Sequence, residues 1–183
     1  GANAAGGYNG VLIQGSLNSG AGSLTIRGMD SATTGATGPA YGGGVLLEKQ
    51  GSIASTTGAI SITGVSNPSN TDSSVTWHFG NMFGYIGTSG TPSVRTTTGS
   101  ITILGDTTNR NIAMAIGNGI YGSTISSDSG NISITSSMGA SGDGEFNNGN
   151  GTSTISSTSG TVSIVGGSSG PAAKFDSYSI SGT

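Results

Sequence analysis

Hydrophobic and polar positions along this chain alternate in short bursts, and one burst recurs. Its copies are Gly22-Ser23-Leu24-Thr25-Ile26, Gly58-Ala59-Ile60-Ser61-Ile62, Gly99-Ser100-Ile101-Thr102-Ile103, Gly130-Asn131-Ile132-Ser133-Ile134 and Gly160-Thr161-Val162-Ser163-Ile164. Each is a glycine, a small or polar residue, an aliphatic, a hydroxyl residue and an isoleucine. Period-two alternation in β-branched residues predicts a strand with one buried and one solvated face, and the leading glycine is expected to supply the turn that enters it. Leu17, Ile53, Val94, Ile125 and Ile155 each precede the first aliphatic of a copy by seven residues. Between them run tracts such as Ser55-Thr56-Thr57 and Thr96-Thr97-Thr98, so the unit reads as strand, tight polar corner, strand. Successive leading glycines, by contrast, are 36, 41, 31 and 30 residues apart. A fixed corner with connections of variable length is the signature of a solenoid.

The remaining segments fit the same frame. Val11-Leu12-Ile13 and Val45-Leu46-Leu47 predict an opening strand in the first two repeats, with Tyr85-Ile86 and Ile120-Tyr121 in the similar place later. Variable arms follow the isoleucine copies, the longest spanning 65–83. Tyr178-Ser179-Ile180-Ser181 matches Ser153-Thr154-Ile155-Ser156. Repeats are thus expected at about 10–43, 44–83, 84–118, 119–150 and 151–177, with a sixth starting at 178–183. The expected fold is all-β, a right-handed parallel β-helix of about five coils of 30–41 residues in a single segment, with uncapped ends. Its inward columns would be Leu24/Ile60/Ile101/Ile132/Val162, Ile26/Ile62/Ile103/Ile134/Ile164 and Leu17/Ile53/Val94/Ile125/Ile155/Ile180. An outward ladder would run through Thr25, Ser61, Thr102, Ser133 and Ser163.

Composition sharpens this picture by exclusion. The 36 glycines among 183 residues lack the every-third spacing of collagen, and long helices find no 3.6-residue stripe. Charged residues make up only 7%, yet aliphatics held in register five times over separate the chain from low-complexity disorder. A net charge of −3 argues against nucleic acid or an anionic membrane as partner, and no run is long enough to span a bilayer. The absence of cysteine fits a secreted bacterial protein better than a disulfide-stapled one. With no signal peptide at its start, an exported form would be a mature segment whose targeting sequence lies upstream.

The Gly-x-Ile-Ser-Ile-Thr-Gly copies with Ser/Thr-rich corners resemble the β-helical shafts of bacterial surface exoproteins of the filamentous haemagglutinin type. The likeness covers nearly the whole chain. It implies a secreted or cell-surface protein, exported by two-partner secretion in many members, that serves as an adhesin or extracellular fibre. The secretion domain that such proteins carry at their start does not occur in these residues.

Parallel β-helices also include polysaccharide lyases and hydrolases, which gather carboxylates on one face of neighbouring coils. Here Asp30, Glu48, Asp72, Asp106, Asp128, Asp143, Glu145 and Asp176 are scattered, and no catalytic set is expected. His78 is the single histidine, so neither a zinc site nor a Ser–His pair finds partners in the sequence. It is expected to point outward between inward Trp77 and Phe79. Trp77, Phe79, Met82 and Phe83 form the one aromatic-rich cluster. Beneath the long arm it reads as an extension of the core; with His78, Trp77, Phe79 and Phe83 are also the candidates for a glycan- or protein-contacting patch. Asp143-Gly144-Glu145 is the one candidate calcium turn, without the nonapeptide repeat of calcium-binding β-rolls. An ice-binding face would need Thr-x-Thr in every coil, which the first corner, Ser19-Gly20-Ala21, does not supply. The sequence therefore points to a non-catalytic structural or adhesive segment of an extracellular fibre, without cofactor, that self-associates through its coil ends or continues in a longer array. The competing class is a carbohydrate-active or carbohydrate-binding β-helix protein.

Overall fold

The computed structural model describes residues 9–30, 41–48, 50–67, 77–84, 90–107, 115–138, 145–146, 152–166, 174–175 and 178–181. Among these residues there is no helix, and every paired strand is parallel to its neighbour. The strands are, in chain order, β1 (Val11–Ile13), β2 (Ser16–Asn18), β3 (Leu24–Met29), β4 (Tyr41–Leu47), β5 (Ser52–Ser55) and β6 (Ile60–Val65). Then follow β7 (Trp77–Phe83), β8 (Ser93–Thr96), β9 (Ile101–Thr107), β10 (Ala115–Ile120), β11 (Thr124–Ser127) and β12 (Ile132–Met138). The last are β13 (Glu145–Phe146), β14 (Ser153–Ser157), β15 (Val162–Val165), β16 (Lys174–Phe175) and β17 (Tyr178–Ser181). Sheet one has the order β1-β4-β7-β10, sheet two β17-β14-β11-β8-β5-β2 and sheet three β15-β12-β9-β6-β3, with β13 and β16 as a separate pair. Every third strand thus joins the same sheet, as in a β-helix or solenoid.

Sheets two and three carry the predicted columns without a slip. Leu24, Ile60, Ile101, Ile132 and Val162 are register partners in succession, as are Ile26, Ile62, Ile103, Ile134 and Ile164. Leu17, Ile53, Val94, Ile125, Ile155 and Ile180 align in sheet two. One backbone bond repeats up sheet three: the N–H groups of Leu24, Ile60, Ile101 and Ile132 donate at 2.8–2.9 Å to the carbonyls of Ala59, Ser100, Asn131 and Thr161. Strand pairing between passes therefore runs along the stack, while the aliphatic faces from all three sheets close one core. Each fully buried aliphatic contributes about 1.5–3 kcal/mol.

The leading glycines are needed for a reason other than turn geometry. Positive φ falls at Gly20, Gly84, Gly90 and Gly122, and not at the leading glycines. A Cβ on Gly58, Gly99 or Gly130 would lie 1.8–2.1 Å from the carbonyl oxygen of the leading glycine one level away. These residues are glycine because the corners stack backbone on backbone.

A second glycine seam joins sheets three and one. A Cβ at Gly28 would lie 2.0 Å from Gly44 O, one at Gly64 1.9 Å from Gly80 O, and one at Gly105 1.8 Å from Gly117 O. Where the seam crosses β7 the strand changes face. Phe83 joins the inner core with Leu47 and Ile120, whereas Phe79 and Met82 pack on the other side with Leu46, Ile116 and Tyr121. Sheet one is consequently buried on both faces along β7.

This arrangement corrects two expectations. The place of Val11-Leu12-Ile13 and Val45-Leu46-Leu47 is taken by Asn81-Met82-Phe83 and then Asn118-Gly119-Ile120. Ile120 holds its expected place, but Phe83 stands where Tyr85-Ile86 was expected; those two residues lie outside the described ones. His78 does not point outward to solvent: it is 1% exposed, because β7 is covered on both sides.

Candidate functional site

Among the described residues, buried polar groups interrupt the apolar interior at several places, three of them rich in side-chain contacts. The first follows the corner. Ser55, Thr96, Ser127 and Ser157 are register partners and buried, one residue beyond the outward position that follows each column aliphatic. Thr96, Ser127 and Ser157 each accept from the N–H of the glycine three residues on, Gly99, Gly130 and Gly160, at 2.8–3.1 Å. Their hydroxyls also donate to a glycine carbonyl of the preceding level: Thr96 to Gly58 at 3.4 Å, Ser127 to Gly99 at 3.1 Å and Ser157 to Gly130 at 2.8 Å. Both hydrogen-bonding capacities of a hydroxyl are used, one within the turn and one between turns. The Ser/Thr-rich corner is thereby a stacking device.

The second grouping is an asparagine pair on the inner side of sheet one, in register with Val11 and Val45. Asn81 Nδ2 donates to Asn118 Oδ1 and to the Leu104 carbonyl, both at 2.8 Å. Asn118 Nδ2 donates to the Thr135 carbonyl at 2.8 Å and to Ser136 Oγ at 2.9 Å. The amides bridge sheet one to the backbone of sheet three beside the glycine seam.

The third grouping gathers Asp30, Ser66 and His78 from three successive levels, each no more than 1% exposed. Ser66 Oγ donates to Asp30 Oδ2 at 3.4 Å, the Asn67 N–H donates to Asp30 Oδ1, and His78 Nδ1 lies 3.8 Å from Asp30 Oδ2. The Asp30 side chain thus meets a hydroxyl and a backbone N–H of the next level and stands beside the imidazole of the level after it, a buried link between passes.

The predicted contact residues are placed as follows. Phe79 and Phe83 are fully buried, on opposite faces of β7, and His78 is buried beside Asp30. Phe79 packs edge-to-face on Tyr121, with ring centroids 6.1 Å apart. These three side chains belong to the interior of the described structure. The Trp77 side chain lies outside the described residues, as does Asp143, and of the calcium pair only the backbone of Glu145 is described, opposite Lys174. Among the described residues no three of His, Cys, Asp and Glu gather as metal ligands. An exposed ion pair, Arg95 Nη2 to Asp128 Oδ1 at 3.6 Å, links neighbouring levels across the corner.

The asparagine pair was missed in the sequence, although Gly80-Asn81 and Gly117-Asn118 repeat the same dipeptide. Compared with known proteins, the chain matches no family model, no curated protein and no solved structure.

Proposed function

We propose that this chain is a non-catalytic shaft segment of a secreted, bacterial cell-surface fibre, of the filamentous haemagglutinin type that its repeats resemble. In this reading the stack is a right-handed β-helix of about five coils, whose role is extension or adhesion. The observation that carries it is the unbroken register of six aliphatic positions from Leu17 to Ile180. A column that accepts one more level without change of chemistry is suited to length, and its buried polar groups are wired between levels rather than toward a substrate. The outer strands of the column carry its most exposed members, Leu17 at 39% and Ile180 at 45%, where Ile53, Val94, Ile125 and Ile155 between them are buried. Such edges favour addition of further levels, from a longer array or from neighbouring chains. Contact with a host or neighbouring-cell glycan or protein would then fall to the arms between strands.

Electron microscopy of the native source material tests the proposal. Long thin fibres with a meridional spacing of about 4.8 Å are expected. Discrete compact particles bearing this chain would overturn the shaft reading and return attention to carbohydrate binding.

A further inference from the structure

The outward ladder of sheet three differs from level to level at one position. In each copy the residue before the first aliphatic stands at the corner, and a ladder hydroxyl follows two residues later. The pairs are Ser23 and Thr25, Ala59 and Ser61, Ser100 and Thr102, Asn131 and Ser133, and Thr161 and Ser163. Among these five corner residues, Asn131 alone carries an amide. Asn131-Ile132-Ser133 thereby has the Asn-x-Ser/Thr form in which a glycosyltransferase reads the hydroxyl and modifies the amide. Asn150-Gly151-Thr152 is the other such triplet in the chain, and Asn150 lies outside the described residues.

The Asn131 amide is held in the orientation that this chemistry needs. The residue is exposed, at the entry to β12. Its Oδ1 accepts the main-chain N–H of Thr161 at 3.0 Å. A main-chain N–H can meet only the oxygen of a side-chain amide, so the nitrogen must turn away from that contact. Nδ2 makes no hydrogen bond to another described residue. The corner residues of the neighbouring levels, Ser100 and Thr161, are small and exposed, so neither places bulk over the amide. Period two puts Asn131 and Ser133 on the same outer face of the strand, about 6.7 Å apart, while Ile132 between them is buried.

We propose that Asn131 carries an N-linked glycan. The inference rests on the cell-surface reading and gives the shaft a modification site. The donor is a sugar activated as its diphosphate ester, and a separate transferase presents it. Nδ2 bonds to the anomeric carbon as the bond from that carbon to the diphosphate oxygen breaks. The diphosphate leaves with the electron pair, and Nδ2 gives up one proton. Oδ1 is not consumed, so its bond to the Thr161 N–H survives the transfer and no level is unpaired. Asn131 would hold Thr161 equally well without a sugar. Ser133 separates the two roles, because its hydroxyl matters to a transferase and takes no part in that hydrogen bond.

Mass spectrometry of the chain from its native source tests the site. Cleavage after Met114 and Met138 isolates residues 115–138, which hold this triplet and not the one at Asn150. A mass increase of one or more sugar residues is expected, localised to Asn131 by electron-transfer fragmentation. Ser133→Ala, produced in the same source, should lose the sugar, and Ser133→Thr should keep it. An unmodified Asn131 would overturn the proposal. So would a sugar on a serine or threonine of this stretch instead, or one on Asn131 that persists undiminished in Ser133→Ala. Electron microscopy of the same material keeps the outcome apart from the shaft reading. Fibres with an unmodified Asn131 overturn the glycan and leave the shaft; a sugar on Asn131 in discrete particles overturns the shaft and leaves the glycan.

Discussion

Asn81 donates its side-chain amide to Oδ1 of Asn118 at 2.8 Å, and both residues are completely buried. At the two levels before them the same inward position is valine, Val11 and Val45. Asparagine is thus a substitution within an otherwise apolar column, and it holds only because each amide also reaches a backbone carbonyl of sheet three. Asn118→Val alone would leave Asn81 and the Thr135 carbonyl each short of a partner and should cost about 1–3 kcal/mol. The double change to valine should cost clearly less than the sum of the single ones, because no half of the pair is then stranded. Urea unfolding of the four proteins in this cycle measures the coupling; strict additivity would show that the pair acts as two separate residues.

The glycine seam makes a sharper contrast. Gly64→Ala and Gly105→Ala would drive a methyl into the carbonyls of Gly80 and Gly117, and into Asn81 Oδ1 and Asn118 Oδ1 as well. Each should destabilise by about 1–3 kcal/mol or more, as overpacking does. Gly15→Ala has open space around the new methyl and should be neutral or stabilise by about 0.4–1 kcal/mol. Thermal midpoints of the three variants rank them, and equal midpoints would mean that sheets three and one do not approach so closely.

At the corner, inward and outward hydroxyls should behave differently although both are serines in similar repeats. Ser127→Ala removes a donor to the Gly99 carbonyl and the acceptor of the Gly130 N–H, with an expected loss of about 1–3 kcal/mol. Ser133→Ala, on the outward ladder, should stay within about 0.5 kcal/mol of the parent. Chemical denaturation of both decides whether the Ser/Thr-rich corners act by stacking or only by solubility.

Asp30 holds Asn67 through its main-chain N–H and stands against His78, the residues on either side of the stretch 68–77. Asp30→Ala removes the acceptor of the Asn67 N–H and of Ser66 Oγ and should cost about 1–3 kcal/mol. Urea unfolding measures the loss, and an unchanged midpoint would mean that Asp30 does not tie these levels together.

How far the sequence reaches follows from what each part depends on. The columns of sheets two and three were legible because a seven-residue offset and period-two alternation are local properties, repeated without change from Leu17 to Ile180. Sheet one was legible only in part: Val11-Leu12-Ile13, Val45-Leu46-Leu47 and Ile120 hold their expected places, but the inward position changes from Val45 to Asn81 and the strand turns over at Gly80, so neither hydrophobicity nor alternation persists along β7. That is why His78 was expected outside and Tyr85-Ile86 were given a place that Asn81-Met82-Phe83 occupies. The meeting of Asp30, Ser66 and His78 depends on stacking between levels across arms of unequal length, which no local pattern encodes. The glycines were recognised as punctuation, but their reason, backbone contact between levels, belongs to the stack and not to the turn.

The most direct test of the stack is a set of dipolar spin-label distances along the outward ladder of sheet three. Cysteine placed at Thr25 and, in turn, at Ser61, Thr102, Ser133 or Ser163 carries the label pairs. Parallel levels in register predict separations that grow by about 4.8 Å per step, to about 19 Å for the pair at 25 and 163. Separations that fail to increase in this order, or that jump between levels, would contradict a continuous column and with it the reading of the chain as a shaft.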